Sequence, residues 1–306
     1  MSKTLIEWCD SVWNVVTGCT KVSAGCKNCY AETYAKRFWG ERNFTDVRCH
    51  VDKLNDPLRW KKPQRIFVNS MSDLFHPNIP IEFIQRVYQV MINCPQHTFI
   101  ILTKRAERAL EIVPKVLTNL FGNTLESNLP NVWLGVSVEN QETADERIPI
   151  LLQIPVYKKI LSVEPMLDEI NLASFLTNVF MINPDKLFTK EAVEPILGNK
   201  SPLDWIIVGG ESGKDARSMN PDWVRKIRDD CKAAGVDFYF KQWGEWLHHS
   251  LCSAEIGLEL FNHNSKYKSL DISNGVYYDT YMKLGKKKAG RLLDGVEHNK
   301  FPKGIE

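Results

Sequence analysis

The sequence predicts an α/β fold: a full or partial (β/α) barrel of the TIM type, followed by an accessory C-terminal region. Three observations carry this. Short apolar, β-branched runs alternate with amphipathic stretches, the pattern of βα units on a parallel sheet. Six or seven such units follow one another along the chain. Polar residues gather just after the apolar runs, where a parallel barrel keeps its chemistry. The 306 residues suit one large α/β domain with an appendage. The expected division is a barrel over 1–247, with an insertion at about 168–203, and a C-terminal extension over 248–306.

The first strand is expected at 11–16, just before a loop carrying Cys19, Cys26 and Cys29. Residues 30–38 read as helix, with Tyr30, Tyr34, Arg37 and Phe38 at helical spacing. Residues 42–62 are polar and irregular, contain Cys49-His50, and are interrupted by Pro57 and Pro63. A second strand at 65–69 leads into Ser70-Met71-Ser72-Asp73, and Pro80 opens a helix reaching about Asn93. The third strand, 98–102, is apolar throughout, as when both faces are covered. Pro114 should end or kink the helix that starts near Lys104.

The fourth strand, 132–138, runs into Glu139-Asn140-Gln141 and a helix through Leu152. The fifth, 159–163, ends in Glu164-Pro165. The stretch 167–203 exceeds a normal βα connection and offers helices at 170–181 and 190–197. The sixth strand, 205–208, enters Gly209-Gly210-Glu211-Ser212-Gly213. Asn220 as N-cap, Pro221 in the first turn and Gly235 past the C-terminus bracket the next helix. The seventh strand, 236–240, ends in Lys241-Gln242-Trp243-Gly244. Beyond it, a hairpin is expected near 275–281, and 286–291 is a basic run.

Composition narrows the class. With 43% hydrophobic and 25% charged residues the chain is an ordinary soluble protein. The 39 basic and 37 acidic residues leave a charge of +2, which argues neither for nor against a local basic groove. No signal peptide opens the chain and no run of about 18 apolar residues spans a membrane, so a cytoplasmic location is expected. In such a reducing setting, the clustered ones among eight cysteines point to metal rather than disulfides.

The spacing of Cys19, Cys26 and Cys29 leaves three readings open. Three thiolates can hold three corners of a [4Fe-4S] cluster and leave the fourth iron open. They can join Cys9, Cys49, His50 or another residue around a structural zinc. They can also be unliganded thiols. Each strand-end motif is likewise double. Ser70, Ser72 and Asp73 suit a ligand's ammonium group or a helix cap; Ser137, Glu139 and Asn140 suit a ribose or a cap. Gly209 and Gly210, with Glu211 and Ser212, allow backbone to approach a ligand. Lys104, Arg105, Arg217 and Lys241 offer positive charge to a cavity or ordinary surface ion pairs.

The chain resembles the phage-type three-cysteine-motif family of uncharacterised radical S-adenosylmethionine (SAM)-like proteins. The resemblance rests on Thr17-Gly18-Cys19, Gly25-Cys26-Lys27-Asn28-Cys29-Tyr30, the strand-end motifs at 70–76, 102–105, 134–141, 162–165 and 209–213, and the stretches 221–225, 240–246 and 290–295. The first cysteine gap is six residues, where typical radical SAM enzymes have three. The resemblance implies a barrel of the radical SAM kind, with Cys19, Cys26 and Cys29 ligating a [4Fe-4S] cluster. Its open iron would bind SAM, and SAM cleavage would yield a 5′-deoxyadenosyl radical. It places Ser70, Ser72 and Asp73 at the SAM amino group, Ser137, Glu139 and Asn140 at the ribose, and Gly209, Gly210, Glu211 and Ser212 at adenine or carboxylate, with Glu164 beside them. Lys104, Arg217, Lys241, Gln242 and Trp243 become candidate substrate contacts. The expected partners are an electron donor of flavodoxin or ferredoxin type and a nucleic-acid or nucleotide-base substrate, with no membrane. The rival class is a zinc-stabilised nucleic-acid-binding or phage interaction protein without catalysis.

Overall fold

In a computed structural model of the chain, residues 4–122, 129–177, 201–252, 268–273 and 278–303 are described. Its centre is an all-parallel sheet of seven strands. They are β1 (Ser11–Trp13), β2 (Arg65–Val68), β3 (Thr98–Thr103), β4 (Val132–Val138), β5 (Lys158–Val163), β6 (Trp205–Gly209) and β7 (Asp237–Gln242). Spatial order follows chain order, and every pair is parallel. Among the described residues no pairing joins β7 back to β1, so the sheet is a curled half-barrel and not a closed ring. The expected strands fall within a residue or two of these, except β1, which stops at Trp13.

Alternation along the strands makes two cores. Ile66, Val68, Phe99, Ile101, Leu134, Val136, Leu161 and Val208 face outward into the larger core. That core includes the apolar sides of α2 (Ile81–Ile92), α3 (Ala106–Phe121), α4 (Gln141–Gln153) and α5 (Pro221–Ala234). The intervening Phe67, Ile100, Trp133, Ile160, Trp205, Ile207 and Tyr239 form a second core inside the curl, joined by Trp8 and Cys9. α1 (Tyr30–Phe38) lies beside the cysteine loop.

Pro114 does not end α3, which continues to Phe121. An interior proline costs about 3 kcal/mol. Ile112, Val113, Val116 and Leu117 are all buried from this helix, and each contributes about 1.5–3 kcal/mol of burial, so packing outweighs the break. The predicted caps of α5 are present: the Asn220 side chain accepts from the Asp222 N–H at 2.8 Å, and Gly235 is left-handed at φ 68°. In the insertion, the described part holds one helical turn, Ala173–Leu176; residues 178–200, which carry most of the expected helices, lie outside the described residues.

Beyond β7, Trp246–His248, Lys268–Ser273 and Tyr278–Lys283 form a three-stranded antiparallel sheet. It begins before residue 248, and the turn of the expected hairpin, 274–277, lies outside the described residues. The tail then returns to the barrel. Phe240 N–H donates to His298 O at 2.9 Å, the Trp205 indole donates to Lys300 O at 2.9 Å, and the Phe301 ring packs 5.2 Å from both Trp205 and Tyr239. Together with Trp8, this seals the N-terminal end of the half-barrel.

Candidate metal centre and cavity

Along the inward rows, chemistry changes within two to four residues. Trp133 gives way to Ser137 across Gly135, Ile160 to Ser162, and Tyr239 to Lys241. The apolar side chains close the base, and the polar ones open on a cavity of about 430 Å³ at the C-terminal ends of the strands. Ser137 and Ser162 are paired across β4 and β5 and both line it. Cys19, Cys26 and Cys29 line the same cavity.

The cysteine loop is held by close backbone contacts. Gly18 sits at φ +93°, and a Cβ there would lie 2.5 Å from Asp46 O and 2.9 Å from Phe44 O, so only glycine fits. The next residue, Cys19, is pinned by its N–H to Phe44 O at 2.9 Å. Its thiol lies 3.6 Å from the Arg105 guanidinium, which also bonds Asp73 at 3.0 Å and Thr20 O at 2.9 Å. Cys26 ends a short 3-10 turn, Ala24–Cys26, and Cys29 precedes α1. Burial pushes the Cys19 thiol up to about 11, although Arg105 pulls it down; burial likewise raises Cys29 against hydrogen bonds from the Glu32 and Ala31 backbone. A metal centre here would therefore displace protons from these thiols.

Two carboxylates anchor the loop from strand ends. Glu139, wholly buried after β4, accepts from the Gly25 N–H at 3.1 Å, from Arg147 at 3.2 Å and from Lys104 at 3.4 Å. A Cβ on Gly25 would stand 3.0 Å from that carboxylate, so glycine is what admits the approach. Glu211, after β6, accepts from Asn28 Nδ2 at 3.0 Å and pairs with Arg217 at 2.6 Å, while Arg217 also donates to Ala24 O at 3.0 Å. Burial alone would raise both carboxyl pKa values. In Glu139, Lys104, a Ser23 hydrogen bond, Arg147 and the Gly25 N–H outweigh it; in Glu211, Arg217 and Asn28 do, so both stay below the ordinary carboxylate value.

Of the residues singled out in the sequence, Ser70, Ser72, Asp73, Ser137, Glu164, Gly210, Glu211 and Ser212 line the cavity, as do Lys104, Lys241 and Gln242. Asp73 is engaged by Thr103, Phe75 N–H, Lys104 N–H and Arg105 at 2.8–3.0 Å. Ser70 bonds Asn14, and Ser72 bonds Val16 O, each at 3.1 Å, stitching this loop to the approach to Cys19. Five others lie outside the lining. Glu139 is enclosed by its cations; Asn140 caps α4, accepting from Thr143 N–H at 3.0 Å. Gly209 lies under the Lys241–Glu164 ion pair, which spans β6 from both sides. Arg217 is turned to Glu211, and the Trp243 indole is buried against Leu292 O at 2.9 Å.

Sequence reasoning missed Asn28 as a loop anchor, and the wall formed by Leu5, Ile6 and Trp8. Neither has a local signal, since both depend on what the fold brings alongside. Lys286 is the one member of the basic run that lines the cavity, and it pairs with Glu7 at 3.3 Å. The three named candidates for a fourth zinc ligand are elsewhere. Cys9 is in the inner core, Cys49 packs on the outer core, and His50 bonds Thr17 at 2.7 Å. Among the described residues, no three His, Cys, Asp or Glu side chains converge as a ready single-ion site.

Residues 3–302 match the family described as "Protein of unknown function (DUF5131)". The chain belongs to this family. Nothing in that match bears on a phage affiliation. No curated protein matches the sequence. The chain is similar to solved structures of spore photoproduct lyase, two of which illustrate the likeness. One is a variant at 13% identity and TM-score 0.44, covering 92% of this chain and 70% of the other. The second is a variant with bound AdoMet and dinucleoside spore photoproduct, at 11% identity and TM-score 0.41, covering 89% and 68%. No helix among the described residues of this DUF5131 member is long and apolar enough to cross a membrane.

Proposed function

We propose that this DUF5131 protein is a radical SAM enzyme whose [4Fe-4S] cluster is held by Cys19, Cys26 and Cys29. The observation that carries the reading is that these three thiols open on one cavity with the polar strand ends of an open parallel βα sheet. The donor set suits the group, since iron–sulfur clusters take thiolate ligands. The same three thiolates with a fourth ligand would suit a structural zinc, which is the alternative reading. When bound, the cluster supplies an electron to SAM, whose cleavage yields the 5′-deoxyadenosyl radical that takes a hydrogen atom from substrate.

The chain's own residues then hold and shield. Glu139, Glu211 and Arg105 fix the cysteine loop, and the apolar base under the cavity excludes water from below. Ser137, Ser162, Ser212 and Gln242 offer hydrogen bonds to a sugar or base. Lys104 and Lys241 bring positive charge to the wall, each already paired with a carboxylate. The substrate in this reading is a nucleic acid or nucleotide base, the protein is cytoplasmic, and a flavodoxin- or ferredoxin-type donor supplies the electron.

The test is anaerobic purification with iron and sulfide analysis, followed by incubation with SAM and dithionite. About four irons per chain and formation of 5′-deoxyadenosine are expected for the cluster of this class. One stoichiometric zinc, no iron after anaerobic reconstitution and no SAM cleavage would overturn the reading in favour of a zinc-stabilised binding protein.

A further inference from the structure

The helix that leaves the cysteine loop is amphipathic the wrong way round. α1 buries its alanines, Ala31 at 4% and Ala35 at 0% exposure, and shows its large rings to solvent. Tyr30, Tyr34 and Phe38 are 57%, 51% and 57% exposed. At i, i+4 and i+8 they share one face, a stripe about 12 Å long at 1.5 Å per residue. The Tyr34 and Phe38 rings are 4.5 Å apart, and the Arg37 guanidinium lies 5.2 Å from the Phe38 centroid. Tyr30 lines the cavity and donates to Ser70 O at 2.5 Å, so the stripe begins at the cavity. Over residues 20–40 the charges are Lys21, Lys27, Lys36 and Arg37 against Glu32, which pairs with Lys21 and Lys36 at 2.9 Å each and leaves the stretch net positive.

Exposed aromatic patches mark interaction surfaces, and the chemistry of this one selects the partner. Rings exposed along a helix face stack on bases of any sequence, and the net positive charge beside them matches a phosphate backbone. An acidic groove would instead favour a basic peptide, and a wholly apolar one another protein. We infer that this face of α1 binds a single-stranded nucleic acid and leads it to the cavity at Tyr30. The inference deepens the nucleic-acid substrate of the proposed function and rests on that reading.

The experiment is fluorescence anisotropy of the full chain, purified anaerobically, with a labelled mixed-sequence single-stranded DNA oligonucleotide across a salt series. Tyr34→Ala and Phe38→Ala should each weaken binding roughly 5- to 150-fold, the range of one lost base stack. Tyr34→Phe and Phe38→Tyr should keep it, because stacking needs the ring; this also controls for folding. Replacing Lys36 and Arg37 together by Ala should reduce the slope of log affinity against log salt by about 1.4, at 0.7 per phosphate contact. No oligonucleotide binding by the unaltered chain, or equal binding by both alanine variants, would overturn the surface. So would loss of binding to a flavodoxin-type protein in those variants with no oligonucleotide bound at all. Binding that follows these expectations in a protein that makes no 5′-deoxyadenosine keeps the surface and removes the enzyme.

Discussion

Glu139 and Glu211 do similar work under different conditions. Both stand just after inner strands and both hold the cysteine loop, one through the Gly25 N–H and the other through the Asn28 side chain. Glu139 has no exposure and two cations, of which Arg147 is itself buried. Glu211 is 5% exposed, and its one cation among the described residues, Arg217, has a side chain 31% exposed. The first anchor is therefore part of the core, where removing one partner leaves an uncompensated charge. The second is a latch at the rim, where water competes for the same groups. The cysteine loop is tied to the core near Cys26 and more loosely near Asn28.

The sharpest way to break this contrast is Glu139→Gln, which strands Arg147 and should cost about 3–5 kcal/mol, read as a lower urea midpoint at unchanged slope. A loss under about 1 kcal/mol would show that the pair is already solvated. Glu211→Gln should cost less, about 1.5–3 kcal/mol for hydrogen bonds to a charged group, but should lower the iron retained after anaerobic reconstitution. Equal losses from the two variants would erase the distinction between core and rim. Asn28→Ala removes the hydrogen bonds from Asn28 Nδ2 to Glu211 and to Asp215 O and should cost about 1 kcal/mol by the same denaturation assay.

The smallest effect is in the acid limb of stability. Both carboxyls have lowered pKa values in the fold. Their contribution is present above the unfolded carboxylate value, about 4.3, and is lost as pH falls through the folded values. Urea midpoints should thus be flat from neutral pH to about 5 and drop below that, with a shallower drop in Glu139→Gln. A separate probe of the loop is Arg105→Gln. Arg105 lowers the Cys19 thiol pKa against burial, so its loss should slow alkylation of Cys19, measured by mass spectrometry. Unchanged alkylation would mean that Arg105 serves Asp73 and Thr20 alone.

Much of the architecture was legible because it is periodic. Alternating runs placed all seven strands, and Asn220, Pro221 and Gly235 marked α5 through local backbone preferences. Pro114 did not end α3, because the four apolar side chains of Ile112, Val113, Val116 and Leu117 hold the helix on the sheet. The site was legible in part. Polar residues at strand ends do collect around one cavity. Whether each faces it was not legible, as Ser137 and Glu139 show: two residues apart, one lines the cavity and the other is enclosed by Lys104, Arg147 and Gly25. Past the end of β4 the chain turns, and strand alternation no longer says where a side chain points.

The sequence by itself determined the βα order, the gathering of polar residues just after the apolar runs, and the grouping of Cys19, Cys26 and Cys29 after the first strand. These are local properties, set by period, composition and proximity along the chain. Only the tertiary structure decided that the half-barrel stays open, and that a returning tail and Trp8 seal its base. It also decided that Glu139 and Glu211 serve the cysteine loop, and that α1 turns its rings outward. Contacts such as Gly25 with Glu139 or Asn28 with Glu211 join residues more than a hundred positions apart. No local preference encodes them, because they exist only once the sheet has brought its strand ends together.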